Sequence, residues 1–302
     1  MTSNKLKGFA CGAVAAASYG LNPLFALPLY EAGMKVDSVL FYRYFLAVLM
    51  MGGLMLVRKE SFALRRAEVL PMIVMGLLFS SSSLFLFEAY NYMDAGVAST
   101  ILFVYPVLVA VIMALFFHER VSPLTMFAIV LAFAGISLLS QGGDGKPLSL
   151  LGMLLVFLSS LTYAVYIVGV NRSSLKSLPT TKLTFYCLLF GSSLFIVRLH
   201  FCTDLQAVPS PWLWANAVSL ALFPTIISLV TMTFAIHRIG STPTAILGAL
   251  EPVTALFCGV VVFGEQLTGR IMLGVVMILT AVTLIIVSPS LVGLARRYVH
   301  KH

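Results

Sequence analysis

The stretch Ala245-Ile246-Leu247-Gly248-Ala249-Leu250-Glu251-Pro252 opens an apolar run that ends at Gly264-Glu265-Gln266-Leu267-Thr268. An earlier stretch has the same layout. Ser99-Thr100-Ile101-Leu102-Phe103-Val104-Tyr105-Pro106 leads to Phe117-His118-Glu119-Arg120-Val121-Ser122. In both, the proline and the terminal glutamate stand thirteen residues apart. The correspondence extends outward. Gly8 and Tyr19 match Gly152 and Tyr163, and Phe41-Tyr42 matches Phe185-Tyr186. The chain therefore reads as two copies of one unit, residues 1–145 and 146–302.

Hydropathy gives each copy its architecture. The chain has 302 residues, 60% hydrophobic and 10% charged, against roughly 25% charged in a soluble domain. Water-facing area needs polar cover that this composition does not supply. A helix needs about 20 apolar residues to cross a bilayer. Ten such runs are present, at 8–29, 37–57, 69–92, 96–117, 123–140, 150–171, 181–200, 212–236, 243–263 and 269–288. Backbone polar groups in lipid must be satisfied internally, which leaves helices or a closed barrel. Long runs without period-two alternation exclude the barrel. The expected fold is all-α and integral to the membrane. Five spans is an odd number, so the second copy enters the bilayer with opposite orientation, giving two inverted five-helix repeats. The turns between spans carry Gly, Pro and charge, as in Gly142-Gly143-Asp144-Gly145 and Pro209-Ser210-Pro211.

Charge sets the direction. With ten spans, fourteen of the nineteen Lys and Arg fall on the side that holds both termini, and four on the other, while Arg43 lies within span two. Cytoplasmic loops carry the excess of Lys and Arg, so both termini are expected in the cytoplasm, with the chain multi-pass in a cell membrane. Lys5 and Lys7 before an apolar run superficially resemble a signal peptide, but hydrophobicity continues to about Leu29, and the run reads as a retained first span.

Several function classes drop out. The net charge of +8 is scattered singly between apolar runs, with no basic stripe for nucleic acid. Cys11, Cys187, Cys202 and Cys258 make no CxxC pair, so neither metal nor redox chemistry is indicated, and a disulfide is not expected. No phosphate-binding loop, serine-hydrolase elbow or zinc-protease motif occurs, so no cofactor and no enzymatic activity are expected. Inverted repeats are a common design of secondary transporters, because exchanging conformations between the copies exposes a central site alternately to each side.

The paired blocks Pro106…Glu119 and Glu251-Pro252…Gly264-Glu265, each followed by a glycine-containing last span, resemble the EamA family of the drug/metabolite transporter superfamily. Ala89 and Ala235, near the ends of spans three and eight, fit the same pattern. The resemblance runs from about residue 8 to 288. It implies ten helices around a central cavity lined mainly by spans one, three, four, six, eight and nine. It also implies export or exchange of small metabolites, often amino acids or related compounds. The first block departs from the second in carrying Tyr105 where the second has Glu251.

The residues themselves mark a candidate site. Glu251 lies about eight residues, or about 12 Å, into span nine, where a carboxylate is costly unless paired, hydrated or protonated. Pro252 beside it removes a backbone donor and frees the carbonyl of Gly248. Glu251 is a candidate substrate or proton ligand, or else a structural hydrogen-bonding group. Ser18, Tyr19 and Asn22 share one face of span one, and Thr162, Tyr163 and Tyr166 share the equivalent face of span six. Such faces point into the bundle, as cavity wall or as helix–helix glue. Arg43 and Glu88 stand at similar depth near the outer side, as an ion pair, a gate, or a clamp for a zwitterion. The simpler alternative is that Arg43 snorkels to the interface. Ser80 to Ser83 and Pro224-Thr225 allow close packing or hydrate a pathway. Gly8 and Gly12 form a packing groove. His118-Glu119 and Glu265 end their helices, where capping is the first explanation.

The expected function is a secondary transporter, exporter or exchanger, moving small metabolites such as amino acids by alternating access, with a small-molecule substrate, the lipid bilayer and proton coupling as partners. The alternatives are a receptor or scaffold without transport, or an intramembrane enzyme. The repeat discriminates, because neither alternative requires one.

Overall fold

The computed structural model describes residues 3–118, 122–139 and 149–299. Glu119, the four-residue turn 142–145 and the divide between the copies at 145/146 lie outside the described residues. Among the described residues there is no strand, and the helices account for all ten spans. Span one is α1 (Ser3–Gly20) and α2 (Asn22–Glu31), span two is α3 (Val36–Val57), and span three is α4 (Arg66–Ala89). Span four is α5 (Ala95–Leu102) and α6 (Tyr105–Phe117), and span five is α7 (Pro123–Leu139). The second copy follows with α8 (Leu150–Arg172) and α9 (Thr180–Arg198). Span eight is α10 (Pro211–Ala221) and α11 (Ser228–Ile239), joined through a π-helical turn, Leu222–Ile227. Span nine is α12 (Ser241–Leu247) and α13 (Leu250–Phe263), and span ten is α14 (Gly269–Val299). Among the described residues nine stretches are long and apolar enough to cross a membrane, and the tenth span, α7, has 17 residues.

The packing follows the inverted repeat. Span one lies against span eight as span six lies against span three, and span one meets span nine as span six meets span four. Spans two and seven, four and nine, and five and ten pair with their own counterparts. The last pair crosses at glycine. A Cβ on Gly135 would stand 3.0 Å from the carbonyl of Gly274, and one on Gly274 would stand 3.0 Å from that of Gly135. Gly8 and Gly12 form the groove expected of them, against Arg238, Ile239 and Leu247.

The loops segregate to two ends, as ten alternating crossings require. At the end that holds the loops after spans one, three, seven and nine, Arg198 bridges Asp37 at 2.5 Å and reaches Glu88 at 3.9 Å. The backbone N–H of Lys35 donates to the Gln206 side chain there. At the opposite end Lys182 donates to the carbonyl of Ala63, Tyr186 to that of Phe62, and Thr181 to Glu60. Below, these are the odd-loop and even-loop ends.

Four spans are interrupted. Leu21 breaks span one just before Asn22-Pro23, with proline at the start of α2. In span four Pro106 lacks the N–H that would bond to Leu102. The Ser160 hydroxyl of span six lies 3.2 Å from that carbonyl, 3.4 Å from that of Ile101 and 3.0 Å from its own Val156 carbonyl. In span nine the carbonyl of Gly248, freed by Pro252, is taken by the N–H of Glu251 at 2.9 Å. In span eight Pro224 sits in the π turn, where the N–H of Ser228 reaches back five residues to Phe223. All four interruptions lie at the centre of the bundle.

Candidate functional site

The interruptions surround a cavity of about 820 Å³. Its lining follows span four from Leu102 to Met113 and span eight from Pro224 to Ile236, and includes Ile285 and Ile286 of span ten. These residues lead toward the even-loop end, where Ile236 is 40% exposed. Toward the odd-loop end the bundle is closed by Leu29, Phe87 and Tyr90, all buried. The wall also takes residues from spans two and seven, beyond the six spans expected to line it.

Tyr19, Tyr163, Tyr166 and Glu251, marked in the sequence on different spans, all line this one cavity. Tyr19 is delivered by α1 one residue before Gly20. A Cβ on Gly20 would stand 2.4 Å from the carbonyl oxygen of Glu251, so the absence of a side chain is what lets span one touch the break in span nine. Glu251 begins α13, half-buried, and among the described residues no hydrogen bond or ion pair holds its carboxylate. Four phenols, Tyr19, Tyr90, Tyr105 and Tyr163, lie within its electrostatic reach.

Aromatic rings form the facing wall. Tyr105 and Tyr163 meet edge to face with centroids 4.7 Å apart, Tyr163 and Tyr166 stack at 5.8 Å, and Phe79 leans on both tyrosines of span six. Such pairs hold one another's rings in place while leaving faces and hydroxyls available to a solute. Tyr105 was not singled out in the sequence as a site residue. The signal was nonetheless present, because Tyr105 occupies in the first copy the place of Glu251 in the second, and the two-fold brings both to the cavity.

Ser18 and Asn22 fall elsewhere. Both are buried but neither is part of the cavity wall. The break at Leu21 turns Asn22 off the face that an unbroken helix would give, while Ser18, in α1 beside Tyr19, points about 100° away from it. The Asn22 amide N–H₂ donates to the carbonyl of Tyr19 at 2.8 Å, across the break, and its Oδ1 has no protein partner. Thr162 returns its hydroxyl to the carbonyl of Leu158.

Arg43 and Glu88 do not pair. Glu88 lies at the odd-loop end beside Arg198. Arg43 turns inward instead of snorkelling. It is 3% exposed, lines the cavity, and lies over the ring of Phe87 at 5.1 Å and beside the Tyr19 hydroxyl. The serines of span three act as glue. Ser82 and Ser159 exchange hydrogen bonds with each other's carbonyls at 2.9 and 2.7 Å, and Ser83 bonds to the hydroxyl of Tyr44 at 2.8 Å. Among the described residues no group of His, Cys, Asp and Glu is placed to hold a metal ion.

Comparison with known proteins fits this arrangement. The model of the EamA-like transporter family matches twice in tandem, over residues 6–141 and 150–287. An uncharacterized transporter of Bacillus subtilis, YvbV, is 22% identical over 266 residues, covering 85% of this chain and 86% of its own. The threonine/homoserine exporter RhtA of Salmonella typhimurium is 25% identical over 220 residues, with coverage of 72% and 70%. A solved crystal structure superposes with a TM-score of 0.65 at 19% identity, covering 94% of this chain and 96% of that one. That likeness concerns the fold alone.

Proposed function

Because the chain belongs to the EamA-like transporter family, we propose that it is a secondary transporter that exports or exchanges small metabolites, amino acids among them, by alternating access. The observation that carries this reading is the unpaired carboxylate of Glu251 at the break of span nine, in a tyrosine-walled cavity open at one end. The volume of about 820 Å³ suits a small metabolite, since ligand cavities run to about 300–1,000 Å³. A carboxylate left without a protein partner in the membrane interior is a group kept for a ligand or a proton. The even-loop end carries the excess of Lys and Arg, so it is assigned to the cytoplasm together with both termini. The cavity then faces inward in this conformation, and exchange of packing between the two copies would turn it outward. The exporter named for threonine and homoserine supports amino acids as the first solutes to test.

The test is reconstitution of the full-length protein into liposomes loaded with a metabolite panel that includes the twenty amino acids. Release and counterflow are followed with and without a pH gradient. Movement of one or a few solutes above protein-free liposomes is expected. A folded, reconstituted protein that moves none of them, in either direction, overturns the proposal.

A further inference from the structure

Two polar groups in the cavity have their hydrogen-bonding or ionic capacity unspent, and neither is a carboxylate. The first is the guanidinium of Arg43. The residue is 3% exposed. Among the described residues no carboxylate lies within 4.0 Å of it. Four phenols lie within its electrostatic reach: Tyr19, Tyr30, Tyr44 and Tyr90. Three of these are committed elsewhere, Tyr30 donating to the carbonyl of Phe87, Tyr44 paired with Ser83 and Tyr90 with Ser99. Phenols and the Phe87 face ease the burial of a cation, but they do not neutralise it.

The second is the hydroxyl of Thr225, 8% exposed, whose Oγ1 has no protein partner. This sets it apart from other threonines in the bundle. Thr231 and Thr233 on the same span, and Thr244 and Thr254 on the next, all return the proton to the carbonyl four residues back. Thr225 lies in the π turn, where the backbone ladder is shifted by one residue around Pro224. Such turns cluster at functional positions. The π turn packs against α1 and α3, the helices that carry Tyr19 and Arg43. Both donors therefore belong to the same quarter of the cavity.

We propose that Arg43 and the Thr225 hydroxyl form the carboxylate-binding pole of the transport cavity, with Glu251 facing the opposite, amino end of the same solute. The substrate class is then the small α-amino acid or a related carboxylate. This rests on the transport reading above and adds to it the feature of the solute that must be present. A guanidinium that is bonded to the Tyr19 hydroxyl but has no carboxylate partner keeps N–H donors to spare, and with the unpartnered O–H donor it matches the two oxygens of a carboxylate. An occupant of that charge also removes the cost of leaving a buried guanidinium without a counter-ion.

The experiment measures thermal stabilisation of the purified full-length protein in chloride-free buffer by L-amino acids, each beside its carboxamide and its decarboxylated amine. Acids are expected to stabilise, with the two derivatives at least about ten-fold weaker, the usual worth of a hydrogen bond to a charged group. Thr225→Val, which keeps the shape and loses the hydroxyl, should weaken the acid about ten-fold while Thr225→Ser restores it. Arg43→Gln should erase the preference for acid over amide. If Arg43→Gln does not fold, the Thr225 pair carries the test alone. Three results overturn the proposal: no acid stabilises; acid and amide stabilise equally; or chloride alone stabilises and acids add nothing. Transport of solutes that lack a carboxylate would also overturn it, while leaving the transporter reading intact.

Discussion

The side chain of Glu265, which follows span nine, accepts the backbone N–H groups of Ala95 and Gly96, at 2.8 Å from Ala95 and 3.1 Å from Gly96 at the nearest. It thereby caps α5, the first helix of span four, from the other copy of the repeat. Negative charge there also suits the helix dipole. Burial raises the Glu265 carboxyl to about 7, the neighbouring Asp94 adds to this, and the two amides oppose it.

A pH signature follows from that shift. The folded chain holds the Glu265 proton more tightly than the unfolded chain, whose ordinary value is 4.5. The contribution is therefore fully present below about 4.5 and is lost as pH rises through about 7. Glu265→Gln keeps an acceptor oxygen and does not titrate. Thermal midpoints in detergent should show the unaltered protein losing ground to this variant across that window, and running parallel to it above. Glu265→Ala, which removes the cap, should be less stable than the Gln variant at every pH, by about 1 kcal/mol. A constant difference between the unaltered protein and the Gln variant across the window would rule the titration out.

The proposal that Glu251 couples transport to protons has its own test. Glu251→Gln preserves size and an acceptor but cannot take up or release a proton. In liposomes it should abolish accumulation driven by a pH gradient while leaving solute exchange at equal pH largely intact. Undiminished gradient-driven transport in the variant would reject the proton role. Loss of folding would return Glu251 to a structural part in span nine.

Gly20 is predicted to tolerate no side chain. Its Cβ would meet the backbone oxygen of Glu251 and the Cβ of Thr254 at 2.4 and 2.7 Å, and neither is the yielding tip of a flexible chain. Gly20→Ala should cost about 1–3 kcal/mol by overpacking, read as a lower thermal midpoint. Transport should fall as well, because span one would be pushed off the break in span nine. Gly53, which has open space around it and no positive φ, is the control for substituting a glycine as such.

The sidedness is testable with a native thiol. Cys202 lies in the loop after span seven, at the odd-loop end, while Cys187 and Cys258 are buried within spans. A membrane-impermeant maleimide added to intact cells should modify the protein, and Cys202→Ser should prevent it. Labelling that appears only after the membrane is opened would reverse the assigned orientation.

The ten crossings were legible because each depends on a long-range average of hydropathy and on a charge bias that a miscounted span would scramble. The inverted repeat was legible because Pro106 and Pro252 keep their spacing to the glutamates that end their spans. What escaped was local. Asn22 read as part of a polar face, whereas Pro23 beside it starts a new helix and ends the one before. Arg43 and Glu88 matched in depth, but Arg198 of span seven, distant in sequence, reaches Glu88 first. Depth along a span can be counted from sequence, but rotation about its axis changes with every break. That is why Asn22, beyond the break at Leu21, is not on the cavity wall, whereas Ser18 and Tyr19 differ because neighbours on one helix point about 100° apart. The role of Glu265 could be narrowed to capping, but the helix it caps lies 169 residues away along the chain.

The two central breaks are unequally fastened. In span four the carbonyls left near Pro106 share the hydroxyl of Ser160, a residue of span six. The matching position in span one is Ala16, which has no hydroxyl to offer, and the break in span nine closes on its own backbone through Glu251. Bending span four pulls on a hydrogen bond to a neighbour, whereas bending span nine meets a neighbour through packing, where Gly20 of span one sits against the Glu251 carbonyl. The molecule thus has one tethered elbow and one loose one. Two halves that share a blueprint differ in how their breaks are fastened, one by a neighbour's hydroxyl and one by its own backbone.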